Sequence, residues 1–315
     1  MELFMKTMRY AVSAAVLAGA VLALSPANAS AQDAYIILQP ADMFAEGIAG
    51  APDGDLFVGS LARGEIWRLG RNTHTHHVFA SPESGLMSVI GVHVSRDGER
   101  VYACSSDPAG LHPGRNTELF VFDRASGAVL GRYEFPGGGL CNDIAERADG
   151  TVLATDSFQP RILALTPDGA FTEWLRDEAF AGEGFSLNGI AEIGEAVYTV
   201  KYNSGQLFRI DEDAQGRHIR EVELDRPLAG PDGLELLDDG SLLVVEGHAG
   251  ALSRIRFSED GMSGNVESVA DGYDVPTTVA AWGGAAYVVE GQLDHFFGMD
   301  PSAPGPFRVR RTPLE

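Results

Sequence analysis

The sequence predicts an all-β fold, a six-bladed β-propeller, and three observations carry that expectation. A pattern of short apolar strand, Gly-containing turn and second apolar strand recurs six times along the chain. The recurrence has a period of about 45 residues, the length of a four-stranded blade. Sustained amphipathic helical periodicity is missing, so a TIM barrel or a Rossmann fold would lack its helices.

The six units follow in order. Glu46-Gly47-Ile48 leads through Pro52-Asp53-Gly54 to Leu56-Phe57-Val58-Gly59-Ser60, and Ile90-Gly91-Val92 through Arg96-Asp97-Gly98 to Val101-Tyr102-Ala103-Cys104. Asn142-Asp143-Ile144 leads through Ala148-Asp149-Gly150 to Val152-Leu153-Ala154-Thr155-Asp156, and Asn188-Gly189-Ile190 through Gly194 to Val197-Tyr198-Thr199-Val200. Asp232-Gly233-Leu234 leads through Asp238-Asp239-Gly240 to Leu242-Leu243-Val244-Val245-Glu246. Thr277-Thr278-Val279 leads through Gly283-Gly284 to Ala286-Tyr287-Val288-Val289-Glu290. The starts at 46, 90, 142, 188, 232 and 277 are 44, 52, 46, 44 and 45 residues apart. A third strand follows in each unit (Ile66-Trp67-Arg68-Leu69 in the first, Leu119-Phe120-Val121-Phe122 in the second), then a more polar fourth. Either Tyr35 to Leu38 or Phe307 to Thr312 is expected to complete the last blade and close the ring.

Ahead of the repeats lies an export signal. Lys6 and Arg9 precede an apolar stretch, Ala11 to Leu24, too short to span a bilayer, and small-residue cleavage sites follow in Pro26 to Ala31. Residues 1–31 are therefore expected to be a signal peptide, and residues 32–315 one propeller domain that is periplasmic or secreted. Composition narrows the function classes further. Lys+Arg number 23 against 45 Asp+Glu, a formal net charge of −22, so nucleic acid and an anionic membrane surface are excluded as partners by repulsion. A hydrophobic fraction of 44% excludes a disordered chain, and two Cys cannot build a disulfide scaffold or a zinc cluster. The expected partner is a small-molecule substrate.

The first strand of every blade lines a propeller's central channel, so equivalent positions form a ring around one axis. Here that ring is Glu46, Ile90, Asn142, Asn188, Asp232 and Thr277. Two carboxylates crowded in a narrow channel repel unless a cation sits between them. The donors are all oxygen, which selects Ca²⁺, or another divalent cation such as Mg²⁺ or Mn²⁺, over Zn²⁺. Glu46, Asn142, Asn188 and Asp232 are thus expected to hold a metal. Each dipeptide taken singly is more often a turn signal, and it is the register of four that points to a site.

The ordered set Glu46-Gly47, Asn142-Asp143, Asn188-Gly189 and Pro231-Asp232-Gly233-Leu234 resembles the senescence marker protein/gluconolactonase/luciferin-regenerating enzyme family of six-bladed propellers. Paraoxonases and diisopropyl fluorophosphatase resemble it more distantly. The resemblance spans Phe44 to Glu290. It implies a Ca²⁺-type ion held by Glu46, Asn188 and Asp232, with Asn142 holding the ion or orienting the substrate, and hydrolysis of a lactone or related ester. Gly47 departs from the paraoxonase-like pattern, which places an Asp there for a second, structural calcium. In such a site the cation polarises the carbonyl, and Asp232 is the expected general base. No Gly-x-Ser-x-Gly elbow is present, which argues against a serine esterase.

Second-strand ends return to the same face as the ring. On that ground Lys201, the only lysine after the leader, and His248 are expected substrate contacts alongside Asn142. The alternatives are an exposed Lys and a solvated His. His74-Thr75-His76-His77 falls in the outer strand of the first blade and is read as surface. Cys104 ends a second strand and Cys141 begins the first strand of the next blade, so a Cys104–Cys141 disulfide is expected in an oxidising compartment, two buried free thiols being the alternative. A non-catalytic exported propeller serving as a binding or scaffold module is the competing function class, because fold does not decide function.

Overall fold

The computed structural model describes residues 35–70 and 75–314; the expected signal peptide and His74 lie outside them. Six sheets radiate from one axis, each with antiparallel strands ordered from the axis outward. Their innermost strands are Ala45–Gly50, Ser88–Val94, Cys141–Glu146, Leu187–Ile193, Pro231–Leu236 and Pro276–Trp282. All six contain the ring positions read from the repeats. The fifth blade carries an extra strand, Glu223–Leu224, paired in parallel with Ser263–Asp271 at its outer edge.

The strands differ in burial as their place in a blade requires. Second strands such as Leu56–Ser60, Val152–Asp156 and Leu242–Glu246 are buried at every residue, because both faces meet a neighbouring blade. Outer strands such as Val129–Glu134 and Gly216–Glu221 have one side in water; the second is mostly polar, while the first also exposes Val129 and Leu130. His76 and His77 belong to such a strand, His76–Ala80, with His77 exposed. Among the described residues no helix is long and apolar enough to cross a membrane.

The apolar core is divided rather than central. Six buried clusters fill the six interfaces between adjacent blades. Phe57 and Ile66 of the first blade pack with Val101, Phe120 and Phe122 of the second, for example. Aromatic contacts reinforce the same seam, with Phe57 edge-on to Phe79 at 5.0 Å and Phe79 against Phe122 at 5.9 Å.

Both candidate closing segments are used. The sixth blade runs Pro276–Trp282, Ala285–Glu290, Arg308–Pro313 and then Tyr35–Ile37, so the two ends of the domain share one sheet. Tyr35 pairs with Arg310 and Ile37 with Arg308. Phe307 and Val309 are fully buried in the seam between the last blade and the first, and Phe307 packs on Phe44 with ring centroids 4.7 Å apart. Phe307→Ala is expected to destabilise the fold by about 3–5 kcal/mol, the usual cost of emptying a fully buried phenylalanine site. Urea unfolding measures it; a loss below about 1 kcal/mol would mean the seam does not support the ring.

Candidate active site

Each innermost strand breaks register at its start. The irregularity lies between Ala45 and Ile48, Val89 and Val92, Cys141 and Ile144, Leu187 and Ile190, Pro231 and Leu234, and Pro276 and Val279. A bulge re-aims a side chain that a regular pleat would send into the sheet. In all six blades it falls on the ring residue. Glu46, Ile90, Asn142, Asn188, Asp232 and Thr277 accordingly line one cavity of about 360 Å³.

The residue after each ring position explains the dipeptide pattern. A Cβ on Gly47 would lie 2.2 Å from the Ile90 carbonyl oxygen, and one on Gly189 would lie 2.3 Å from that of Asp232. Glycine there lets the innermost strands approach backbone to backbone and draws the ring tight. It also leaves no room at position 47 for an added ligand. Asp143 takes the equivalent place in the third blade and acts as a tie. Its carboxylate accepts the N–H of Ile144 at 2.8 Å and that of Ile190, in the next blade, at 3.0 Å.

The ring carboxylates are buried, Glu46 at 5% and Asp232 at 7% exposure. Burial holds the Glu46 carboxyl well above the usual carboxylate range, and the charges of Asp232 and Asp143 push the same way. Asp232 is raised first by burial and then by Asp143, against hydrogen bonds from the Asn188 side chain and the Gly233 backbone. Asp143 is pushed up to about 7 by burial, and so is Glu235, one turn of the pleat further down the fifth blade. No Lys or Arg lines the cavity to offset these charges.

The donor set fits a hard divalent cation. Asp232 Oδ1 is buried without a hydrogen-bond partner. Asn142 commits its amide N–H to Ser157 Oγ at 2.8 Å, which leaves its carbonyl oxygen for the cavity. Two carboxylates and two carboxamides present oxygen only, the preference of Ca²⁺, Mg²⁺ and Mn²⁺. Asp294, His295 and Asp300 make the one group of three acidic or imidazole side chains among the described residues whose ligand atoms lie within 4.8 Å of one another. Two of their carboxylates are already engaged by the backbone N–H of His295 and Ser302.

Second-strand ends have a different role from the one expected. They pair directly with first-strand starts (Ala45 with Ser60, Cys141 with Asp156, Leu187 with Lys201, Pro231 with Glu246), so their side chains lie under the segment that enters the blade. Asp156 accepts the Leu140 N–H at 2.9 Å and is paired with Arg161; Glu246 accepts the Ala229 N–H at 2.7 Å and is paired with Arg226. Lys201 belongs to this set. It is buried, its ammonium donates to the Ala179 carbonyl at 3.1 Å, and it is not among the cavity residues. The expected substrate contact at Lys201 is therefore corrected to a prop beneath the Glu178–Phe180 turn. His248 does line the cavity, against Tyr202 with ring centroids 4.9 Å apart. Gly230 makes room for it, since a Cβ there would lie 2.7 Å from the imidazole.

Cys104 and Cys141 form a disulfide, with Cα atoms 5.1 Å apart, and free thiols are absent among the described residues. It ties the second blade to the residue preceding Asn142.

The upper walls escaped the residue-by-residue reading. Leu293, Asp294, Phe297 and Met299 come from the connection at 291–307, Pro108 from that at 107–117 and Phe185 from the approach to the fourth blade. Their signal was length. The other second-to-third-strand connections, at 61–64, 157–160, 202–205 and 247–250, have four residues each. Among the described residues three non-glycine residues have positive φ, Phe44, Val275 and Gln292; each immediately precedes or lies within a segment entering the rim, and Val275 is β-branched and lines the cavity. A more open hollow of about 710 Å³ between the fourth and fifth blades holds Arg209 and Arg256, which Asp211, Asp239 and Glu267 already engage.

No protein-family model matches the chain. A virginiamycin B lyase from Nocardia farcinica is 26% identical over 213 residues, 60% of this chain and 73% of that protein. Among solved structures, the Malassezia sympodialis allergen Mala s 1 superposes with a TM-score of 0.70 at 13% identity, over 88% of this chain and 95% of that one. A structural-genomics target named provisionally as a gluconolactonase superposes with a TM-score of 0.59 at 15% identity, over 90% and 94%. At such identities the solved structures share the propeller fold with this chain, and they include proteins named as enzymes.

Glu235 offers a clean pH test, since its Oε1 accepts the Ala281 N–H at 3.1 Å and a glutamine keeps that acceptor. Its raised value, about 7, means that its contribution to stability is complete below the ordinary glutamate range and is lost as pH rises through about 7. The advantage of Glu235→Gln over the parent chain should therefore grow between pH 5 and pH 8. Unfolding midpoints for both proteins check it, and a pH-independent difference would show that Glu235 ionises freely.

Proposed function

We propose that the chain is an exported hydrolase, dependent on a divalent cation, that opens a lactone or a related ester. One observation carries this reading: four oxygen-donor side chains converge in a single cavity, and Asp232 Oδ1 there has no partner. Glu46, Asn188 and Asp232 would hold the ion, and Asn142 would hold it or orient the substrate. Ca²⁺ is the first choice for such a set, with Mg²⁺ and Mn²⁺ sharing the preference. When bound, the ion supplies a Lewis acid for the carbonyl oxygen and balances the two buried carboxylates.

The residues supply the remaining steps. Asp232 takes a proton from water as the water oxygen bonds to the carbonyl carbon. The acyl C–O bond of the lactone then breaks, and the departing oxygen recovers that proton. The Asn188 side chain beside Asp232 favours its ionised form, the form this task needs. The apolar walls keep bulk water from the ring, which strengthens every charge interaction there. Export is supported by the pattern of residues 1–31 and by the Cys104–Cys141 bridge, which persists in an oxidising compartment. The name of a propeller neighbour, provisionally a gluconolactonase, is in keeping with the hydrolytic chemistry.

A second reading is elimination rather than hydrolysis. It is favoured by His248 in the cavity wall, a base for removing a proton from carbon, and by the lyase name of the curated relative. Turnover in ¹⁸O-water separates the two, since hydrolysis places one labelled oxygen in the product and elimination places none.

Asp232→Asn should weaken Ca²⁺ binding by on the order of a hundredfold, beyond the effect of losing an outer-shell partner, and cut turnover of a lactone panel by about a thousandfold. Chelator should abolish wild-type turnover, with Ca²⁺, Mg²⁺ or Mn²⁺ restoring it better than Zn²⁺. Chelator-sensitive turnover retained by Asp232→Asn would sink the assignment. Ion binding without turnover of any substrate would leave the non-catalytic binding propeller.

A further inference from the structure

We propose that the substrate of this site carries an apolar acyl or aryl substituent, held by Phe185, Leu293, Phe297 and Met299 above the ring, and not a row of hydroxyl groups. The inference rests on the hydrolytic reading for the reaction, but the walls carry it. Polar side chains in the cavity are concentrated at the ring, where exposure is between 4% and 7% for Glu46, Asn142, Asn188 and Asp232. Beside the apolar ring member Ile90, the lining is Leu61, Leu140 and Pro108, then the half-buried Phe185, Leu293 and Phe297, with Met299 72% exposed at the mouth.

The polar side chains outside the metal ligands are four, Thr277, Asp294, Tyr202 and His248. Thr277 Oγ1 donates to the Glu46 carbonyl at 2.7 Å. The Asp294 carboxylate accepts the His295 N–H at 3.0 Å. Tyr202 and His248 meet edge to face along one side, and theirs are the polar atoms left for a substrate. Neither Arg nor Lys nor Ser nor Gln lines the cavity. A polyhydroxylated lactone needs a partner for each hydroxyl, and a hydroxyl set against leucine and phenylalanine loses its hydrogen bonds to water without replacement. An alkyl or aryl group gains from the same wall.

The aromatic lining is also continuous with the surface. Phe158, 52% exposed, meets Phe185 at 5.5 Å, Phe185 meets Phe297 at 6.0 Å, and Phe297 meets Phe296 at 5.1 Å. Phe296 rests on Phe44, next to Ala45 and Glu46 of the first blade. Of this run Phe185 and Phe297 line the cavity, so an apolar substituent entering it meets aromatic surface above the ring.

The test is a series of γ-lactones with straight side chains of zero, two, four and six carbons, alongside glucono-δ-lactone, with the Ca²⁺-loaded protein. The expected result is a rise in kcat/KM of about threefold per added methylene, with the six-carbon lactone at least about a hundredfold above the unsubstituted ring. Glucono-δ-lactone is expected to be the poorest of the set. Phe297→Ser should flatten the chain-length dependence, and Phe297→Leu should preserve it. Equal or better turnover of glucono-δ-lactone, or a flat series, overturns the inference while leaving hydrolysis standing. If no lactone is turned over, the hydrolytic reading falls, and calorimetry with the matching γ-lactams decides this one. Affinity that tightens with chain length upholds it; absent or chain-independent binding overturns it.

Discussion

Two buried carboxylates aimed at one axis are the constraint around which the molecule is arranged. Burial raises the protonation of both Glu46 and Asp232, the charge of Asp232 adds to the effect on Glu46 and that of Asp143 to the effect on each, and no basic side chain lines their cavity. Such an arrangement is costly for an empty protein and is turned to advantage by a cation. Holding it in place requires backbone that cannot relax. The register breaks at the six strand starts, the glycines that let adjacent strands touch and the Asp143 tie between the third and fourth blades all serve that end.

A shell of buried polar groups supports the ring from behind. Asp156 with Arg161, Glu246 with Arg226, Lys201 with Ala179 and Ser60 with Met43 each brace the segment that feeds a first strand. The Cys104–Cys141 bridge does the same from the neighbouring blade. Residues at these positions look functional in sequence because they are polar and close to the ring. Their contribution is to position the ring residues, and the sole lysine of the described residues is accordingly turned away from the cavity.

The rigid base contrasts with the variable upper part. The ring comes from strands fixed by six apolar interfaces, whereas the entrance comes from connections whose lengths differ between blades. This division is how one propeller fold serves unrelated chemistries: a sequence relative of this chain is named a lyase, and a solved propeller of the same fold is provisionally named a gluconolactonase. Here the loops place an aromatic run, from Phe158 to Phe44, at and behind the cavity wall.

Fold and ring were legible in the sequence because both are periodic. Six returns of the same strand-turn-strand pattern specify six blades, and a fixed place in the repeat specifies a fixed place on the axis. The fate of Lys201, the closure of the last blade by both ends at once and the identity of the upper walls were decided only in three dimensions. Local pattern fixes which strand a residue occupies. Which partner its side chain meets depends on antiparallel register, on bulges that turn a residue inward and on loops packing over the axis from distant blades. Those contacts join residues as far apart as Glu46 and Thr277, and no local spacing encodes them.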